Sequence, residues 1–306
     1  MDQKLALHCR DLHKHYGQHK VLTGVNLAVE QASIHGLVGL NGAGKTTTME
    51  CLLGLRPKDK GEVSVIGFQP QELYRAQGKV AVVFDSPCLH PQLTVHQALA
   101  FARLNHSDKS LSIEEIEQQL GIQRYAHFKV RQLSLGNRRR TAIAQALINR
   151  PEFIILDEPF NGLDAGGVDD VLKLIRHLNR QFGTSFLLAS HQLAYLENIC
   201  SHVAILHAGK ICLSQPIDSL LSQDKATVAL TVTDPNQAKV VLSQINGIDL
   251  LSEASDAKVI HCRLKNISSA ELNTTLVQLG IAVEQLVLRK PSLESLFYST
   301  IRGEAA

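Results

Sequence analysis

Apolar positions along this chain switch between a period of two and a period of three to four, and the switches mark out its elements. In residues 1–32, Leu5 and Leu7, then Leu27 and Val29, alternate with polar neighbours, which predicts short strands joined by turns. Ile34 to Leu40 is a mostly apolar strand running into the glycine-rich stretch Gly39-Leu40-Asn41-Gly42-Ala43-Gly44. Met49, Leu52 and Leu53 then fall on one face of a helix that ends near Gly54. Asp59-Lys60-Gly61 reads as a turn before the strand Val63 to Val65, and Val80 to Phe84 as a further strand.

The text between about 90 and 150 is helical. Leu93 to Leu104 and Ile113 to Leu120 carry amphipathic spacing, and a third helix runs from near Ser134 to Pro151, where a proline cannot continue it. Strand and helix then alternate: strand 153–157, helix 168–182, strand 185–190, helix 192–200, strand 203–206, and a hairpin through Ala208-Gly209 into Ile211. Such alternation predicts a mostly parallel sheet covered by helices, with a helical insertion. From Ser222 to Lys225 the pattern breaks. The remainder reads as strand 227–233, helix 236–245, strands near 248–254 and 257–264, helix 269–279, strand 281–288 and helix 292–301. That β-α-β-β-α-β order predicts a small ferredoxin-like α+β sandwich. The expected domains are therefore 1–222 and 223–306.

Composition narrows the class. The 306 residues are 44% hydrophobic and 20% charged, which excludes a disordered chain. Lys and Arg number 31 against 29 Asp and Glu, so no nucleic-acid partner is expected. Apolar runs are far short of the roughly 20 residues a membrane-spanning helix needs, and the N-terminus lacks a signal peptide's apolar core. The six cysteines are scattered without a C-x-x-C, as in a reduced cytoplasmic protein.

The chemistry centres on two motifs. Gly39-x-x-x-x-Gly44-Lys45-Thr46 follows a strand and opens a helix, so its backbone N–H groups and the helix dipole can cradle phosphates. Lys45 reaches the β- and γ-phosphates and the Thr46 hydroxyl ligates Mg²⁺. The nucleotide-binding set is Gly39, Leu40, Asn41, Gly42, Ala43, Gly44, Lys45, Thr46 and Thr47. The second motif is the buried strand Phe153-Ile154-Ile155-Leu156, which ends in Asp157 and Glu158. Asp157 at the tip suits Mg²⁺, held through water, and Glu158 suits a general base for the attacking water. Arg138-Arg139-Arg140 reads as one turn of a helix with its charges spread around the circumference. His13, His15 and His19 read as strand surface rather than as a metal site.

With no N-K-x-D motif for guanine, the remaining motifs choose the family. Leu133-Ser134-Leu135-Gly136-Asn137, at the start of the third helix, resembles the L-S-G-G-Q signature of the ATP-binding cassette (ABC) family. The resemblance covers about residues 1–215 and implies a P-loop α/β core with an antiparallel β subdomain and a helical subdomain. It further implies that Tyr16 stacks on adenine, that Ser134 and Gly136 bind the γ-phosphate held by another subunit, and that Asp164 of Asn161-Gly162-Leu163-Asp164 lines a dimer interface. His191 resembles the switch histidine on the γ-phosphate. Asp85 stands where many members carry a glutamine, which implies a metal-side carboxylate one methylene shorter and charged. Leu135 and Asn137 depart from the usual signature.

The family pattern implies ATP and Mg²⁺ as cofactors. It implies a head-to-tail dimer, expected to be of two copies of this chain. It also implies a separate integral membrane permease, and hence a place at the cytoplasmic face of the membrane. Pro291-Ser292-Leu293-Glu294-Ser295-Leu296-Phe297 resembles the ending of ABC-2 type exporter ATPases, a group that includes drug- and antibiotic-resistance exporters. Two alternatives stay open: a non-transport ABC ATPase acting on nucleic acid or ribosomes, and a regulatory subunit that hydrolyses weakly.

Overall fold

In the computed structural model, the described residues are 4–86, 88–104, 111–223, 227–251, 259–265, 267–289 and 292–302. The first half opens on β1 (Leu5–Tyr16), β2 (His19–Glu30) and β3 (Ile34–Val38), followed by α1 (Lys45–Leu52), β4 (Lys60–Val65) and β5 (Val80–Val83). Next come α2 (Val95–Arg103), α3 (Ile113–Gln119), α4 (Leu135–Leu147), β6 (Phe153–Asp157), α5 (Ala165–Phe182), β7 (Ser185–Ser190), α6 (Leu193–Ile199), β8 (His202–His207) and β9 (Lys210–Pro216). The chain ends with α7 (Ile217–Gln223), β10 (Thr227–Val232), α8 (Pro235–Gln244), β11 (Ile248–Leu250), β12 (Val259–Leu264), α9 (Ser269–Gln278), β13 (Val283–Arg289) and α10 (Leu293–Arg302). It divides into two compact units between Ile217 and Asp218.

The first unit is built on a six-stranded sheet ordered β5-β6-β7-β3-β8-β9. All neighbours are parallel except β8 and β9, which form an antiparallel hairpin. Every residue of β3, β6 and β7 is buried, as the continuous apolar runs required of strands covered on both faces. A three-stranded antiparallel sheet, β2-β1-β4, lies over one face and encloses α1. Leu7, Leu12, Val25 and Val63 of that sheet share one core with Met49 and Leu52 of α1 and with Phe153 and Ile155 of β6. The N-terminal pattern, which predicts short strands, forms instead two strands of 12 residues each. Register shifts between Cys9 and Leu12, and again up to His15, interrupt their alternation and conceal their length in the sequence.

Helix ends follow from their residues. Thr94 and Ser112 close capping boxes on α2 and α3, each satisfying two backbone donors. Asp164 caps α5, which begins three residues earlier than its apolar spacing suggests, and Gly183 at φ 66° ends it. The second unit orders its strands β11-β12-β10-β13, all antiparallel neighbours. With α8 and α9 packed through Leu242, Leu272 and Leu276, this is a ferredoxin-like arrangement. Helix α7, which runs across the expected boundary at 222, and a 3-10 helix at Pro70–Ala76 are not among the elements expected from the sequence. Asp224 and Lys225, where the pattern breaks, and Pro291 of the C-terminal motif lie outside the described residues.

Between β3 and β8, His35 and His202 sit side by side in register and stack with ring centroids 4.7 Å apart. His35 is buried, and burial, helped by the His202 charge, pushes its pKa down from 6.5 to about 4. The unfolded chain therefore takes up a proton that the fold refuses. This contribution to stability is complete above pH 6.5 and is lost as pH falls through 6.5 towards 4. Between pH 6.5 and 5 it amounts to about 2 kcal/mol. Urea unfolding at these two pH values is expected to show that loss in the native chain, and His35→Gln is expected to shrink it. An equal loss in both would contradict the assignment.

Candidate active site

The glycine-rich loop leaves the C-terminal end of β3 and turns into α1. Gly42 and Gly44 take φ of 81° and 106°, in the range that L side chains avoid. Gly39 admits no side chain either, since a Cβ there would lie 2.7 Å from the Leu206 carbonyl. Gly39, Ala43, Gly44 and Lys45 are buried, while Leu40, Asn41, Gly42 and Thr46 are exposed and Thr47 is half-buried. A cavity of about 300 Å³ opens over the loop, lined by residues including Asn41, Gly42, Lys45, Thr46, Thr47 and Glu158.

This cavity fits a phosphate chain. Helix α1 starts without a side-chain cap and with no acidic residue in its first turn, whereas α2, α3, α4 and α5 are all capped by side chains. Its first N–H groups and the positive end of its dipole are thus left to an anion. Lys45 points into the same space, with Nζ 2.7 Å from the Gly39 carbonyl and 3.5 Å from Glu158 Oε1.

The site also fits a divalent cation. The Thr46 hydroxyl donates to Asp157 Oδ2 at 3.0 Å, so two hard oxygen donors stand together. Burial raises the Asp157 pKa above the usual carboxylate range, the Thr46 hydrogen bond opposes this, and the negative charges of Glu158 and Asp85 add to the rise. A cation beside Asp157 would relieve that excess of negative charge.

Glu158 is 7% exposed and has φ of 47°, the left-handed region, which costs a non-glycine residue roughly 1–2 kcal/mol. The turn is pinned from both sides. Glu158 N–H donates to the Ala189 carbonyl at 2.8 Å, and Arg139 Nη1 donates to the Glu158 carbonyl at 2.6 Å. The Ser190 hydroxyl donates to Oε2 at 2.9 Å, and His191 Nδ1 lies 2.9 Å from Oε1. Ser190 was not apparent from the sequence as a site residue, because a serine at a strand end carries no pattern of its own.

The other predicted residues form a second group. Ser134 caps α4, its hydroxyl accepting from Asn137 N–H at 3.3 Å. Gly136 packs so closely that a Cβ would lie 2.7 Å from the Gly162 carbonyl, and Leu135 fills the space beside Gly162. Asp164 accepts from Gly167 N–H at 2.9 Å and from Arg140 at 2.6 Å, and these contacts lower its pKa. Ser134, Gly136 and Asp164 are therefore tied to one another through α4 and the turn before α5, and they are not among the residues lining the cavity. Tyr16 stands 44% exposed at the end of β1, with Lys14 Nζ 5.3 Å from its ring centroid. His13 pairs with Asp11, His15 with Asp59, and His19 lines the phosphate cavity.

Asp85, just beyond β5, accepts from Arg139 Nη2 at 2.8 Å and from Asn161 Nδ2 at 3.2 Å through its Oδ1. The three arginines do spread around α4: Arg138 bonds back to the Leu133 carbonyl, Arg140 reaches Asp164, and Arg139 turns inward and is 2% exposed. Nothing in a run of three arginines says which of them is buried.

Comparison with known proteins agrees with this geometry. The ABC transporter family profile matches residues 22–161. A bacitracin transport ATP-binding protein of Bacillus licheniformis is 33% identical over 298 residues, 96% of each chain. The chain belongs to the ATP-binding proteins of the ABC transporter family. A linearmycin resistance ATP-binding protein of Bacillus subtilis is 29% identical, covering 95% of this chain and 96% of its own. Among solved structures, an ATP-binding subunit of an ABC transporter matches with a TM-score of 0.62 and 30% identity, over 71% of this chain and 92% of its own. A dimeric bacterial ABC transporter cassette, at 24% identity and a TM-score of 0.60 over 69% of this chain and 98% of its own, shares the fold. The family is one of ATPases that bind ATP, typically with Mg²⁺.

A Cβ on Gly44 would meet Leu22 Cδ2 at 2.8 Å, on a backbone whose φ is 106°. Gly44→Ala is expected to weaken ATP binding at least about tenfold, since the loop can no longer hold its N–H groups inward. Titration with a fluorescent ATP analogue would measure this. Wild-type affinity in the variant would contradict the cradle.

Proposed function

We propose that this chain is the ATP-hydrolysing subunit of an exporter, working through a separate permease by closing and opening a dimer. The observation that carries the proposal is the convergence of buried Lys45, Asp157, Glu158 and Ser190 with exposed Thr46 and His191 at the C-terminal edge of one sheet. Lys45 and the loop N–H groups hold the β- and γ-phosphates. Thr46 and Asp157 would hold Mg²⁺, with Asp85 nearby as a further acidic oxygen. Mg²⁺, when bound, supplies neutralisation of phosphate charge. Glu158 takes the proton of the attacking water, and its Ser190 and His191 contacts fix the carboxylate's direction. The His191 side chain, 48% exposed, is free to meet the γ-phosphate.

Ser134 and Gly136 supply an anion-binding helix start for a nucleotide held by a second copy, with Asp164 at the same interface. This division of labour accounts for why the signature and the phosphate loop make separate groups in one chain. Tyr16 offers its ring to the adenine.

The permease would dock on the first unit beside Asp85. There a cavity of about 520 Å³ is lined by residues including Val83, Phe84, Leu89, Phe101 and Ala146. No helix among the described residues is long and apolar enough to cross a membrane, which suits a subunit held at the cytoplasmic face by such a partner. The export direction rests on the relatives, whose names include bacitracin transport, linearmycin resistance and daunorubicin resistance.

Glu158→Gln is expected to lower ATP turnover at least about hundredfold while leaving nucleotide affinity within about threefold. Phosphate release and analogue binding would measure the two. An unchanged turnover would remove Glu158 from the chemistry. Gentle solubilisation of native membranes, with the tagged chain as bait, is expected to bring down a polytopic membrane protein in stoichiometric amount. Recovery of ribosomes or DNA in its place would overturn the transport reading.

A further inference from the structure

The side chain that joins the two groups of site residues is Arg139, which neither the phosphate loop nor the signature motif includes. It lies one turn into α4, the helix that Ser134 caps, and it is almost wholly buried. One guanidinium reaches two separate segments. Nη1 donates to the Glu158 carbonyl at 2.6 Å, while Nη2 donates to the Asp85 carbonyl and, at 2.8 Å, to Asp85 Oδ1.

From Asp85 the contacts return to Glu158 by another path. Asn161 Nδ2 donates to Asp85 Oδ1 at 3.2 Å, and Gln192 Nε2 donates to Asn161 Oδ1 at 2.9 Å. Gln192 N–H donates to the Ser190 hydroxyl at 3.1 Å, and that hydroxyl donates to Glu158 Oε2 at 2.9 Å. The result is a closed ring of hydrogen bonds in which Arg139 is the only cation. Its planar fork is what allows one side chain to serve both segments, which a lysine ammonium on a single-point stem cannot reproduce.

We propose that Arg139 is a positioning residue for hydrolysis, holding the left-handed turn at Glu158 and the carboxylate of Asp85 in one fixed arrangement with the signature helix. A shift of α4, whose N-terminus faces a partner's nucleotide, then moves the Glu158 carbonyl and Asp85 together. Hydrolytic competence in the phosphate cavity thus depends on where the signature helix stands. Asp85 in turn acts first as the counter-charge of Arg139, which keeps its negative charge from standing unbalanced beside the phosphates.

This inference rests on Glu158 being the base, and the test separates the two. ATPase assays on the full-length chain would compare wild type, Arg139→Lys, Arg139→Gln, Asp85→Asn and the Arg139→Gln/Asp85→Asn double variant, with Glu158→Gln beside them. Arg139→Lys and Arg139→Gln are expected to lose about tenfold or more in kcat, with the KM for ATP and analogue affinity within about threefold, because the phosphate loop is untouched. The double variant is expected to fall no further than Arg139→Gln alone, the non-additivity of residues acting as one unit. Thermal midpoints would be measured alongside. If Arg139→Gln folds poorly, Arg139→Lys, which keeps the buried charge, carries the comparison. Wild-type kcat in Arg139→Lys, or losses in the double variant that simply multiply, would overturn the positioning role while leaving the ATPase reading intact. Wild-type turnover in Glu158→Gln would instead overturn the reading on which the inference rests.

Discussion

Charge buried at the C-terminal edge of a parallel sheet is the constraint around which this protein is arranged. Lys45, Asp157 and Glu158 are all less than a tenth exposed, and each would be costly there without partners. The fold meets the cost with backbone and hydroxyl groups aimed at them. Gly39 offers its carbonyl to Lys45, Thr46 its hydroxyl to Asp157, and Ser190 its hydroxyl to Glu158. Burial, with the Glu158 and Asp85 charges nearby, still holds the Asp157 pKa up, and α1 remains uncapped. The two residual demands, for a cation and for an anion, sit side by side, and Mg²⁺ with a phosphate chain would meet both.

Holding these charges requires several strands to end at the same height. β3, β6 and β7 are parallel and in register, so the loop after β3, the carboxylates ending β6 and the serine ending β7 converge at one edge. A slip of β6 or β7 along its neighbours would draw the polar end residue Asp157 or Ser190 into the apolar interior, which opposes any other register. The antiparallel β1-β2-β4 sheet and α1 close one face, and helices including α6 pack on the strands from outside this core. The backbone strain at Glu158 persists only because the surrounding turn is fixed at both its N–H and its carbonyl.

The same edge also connects to the helical segment. Arg140 holds Asp164, Leu135 packs on Gly162, and Arg139 reaches Asp85 and Glu158. Ser134, Gly136 and Asp164 are thus linked mechanically to the turn at Glu158 without lining the cavity over the glycine-rich loop of their own chain. A leucine in place of the usual signature glycine is accommodated because Gly162 faces it with no side chain.

The sequence by itself determined the local parts. Its periodicities located most strands and helices, and strands 153–157 and 185–190 to the residue, because continuous apolar runs bounded by polar ends leave one solution. The phosphate loop, the paired carboxylates and the family were equally legible, because backbone curvature, helix start and ligand chemistry there depend on residues close together in the chain. Only the tertiary structure decided which arginine of the triplet turns inward and that Ser190 fixes Glu158. It also paired Asp85 with a cation 54 positions away, extended the N-terminal strands to 12 residues each across bulges, and stacked His35 on His202. Each of these depends on which strand lies beside which and which helix face meets the core. Those are properties of packing between distant segments, to which neither spacing nor composition within one segment responds.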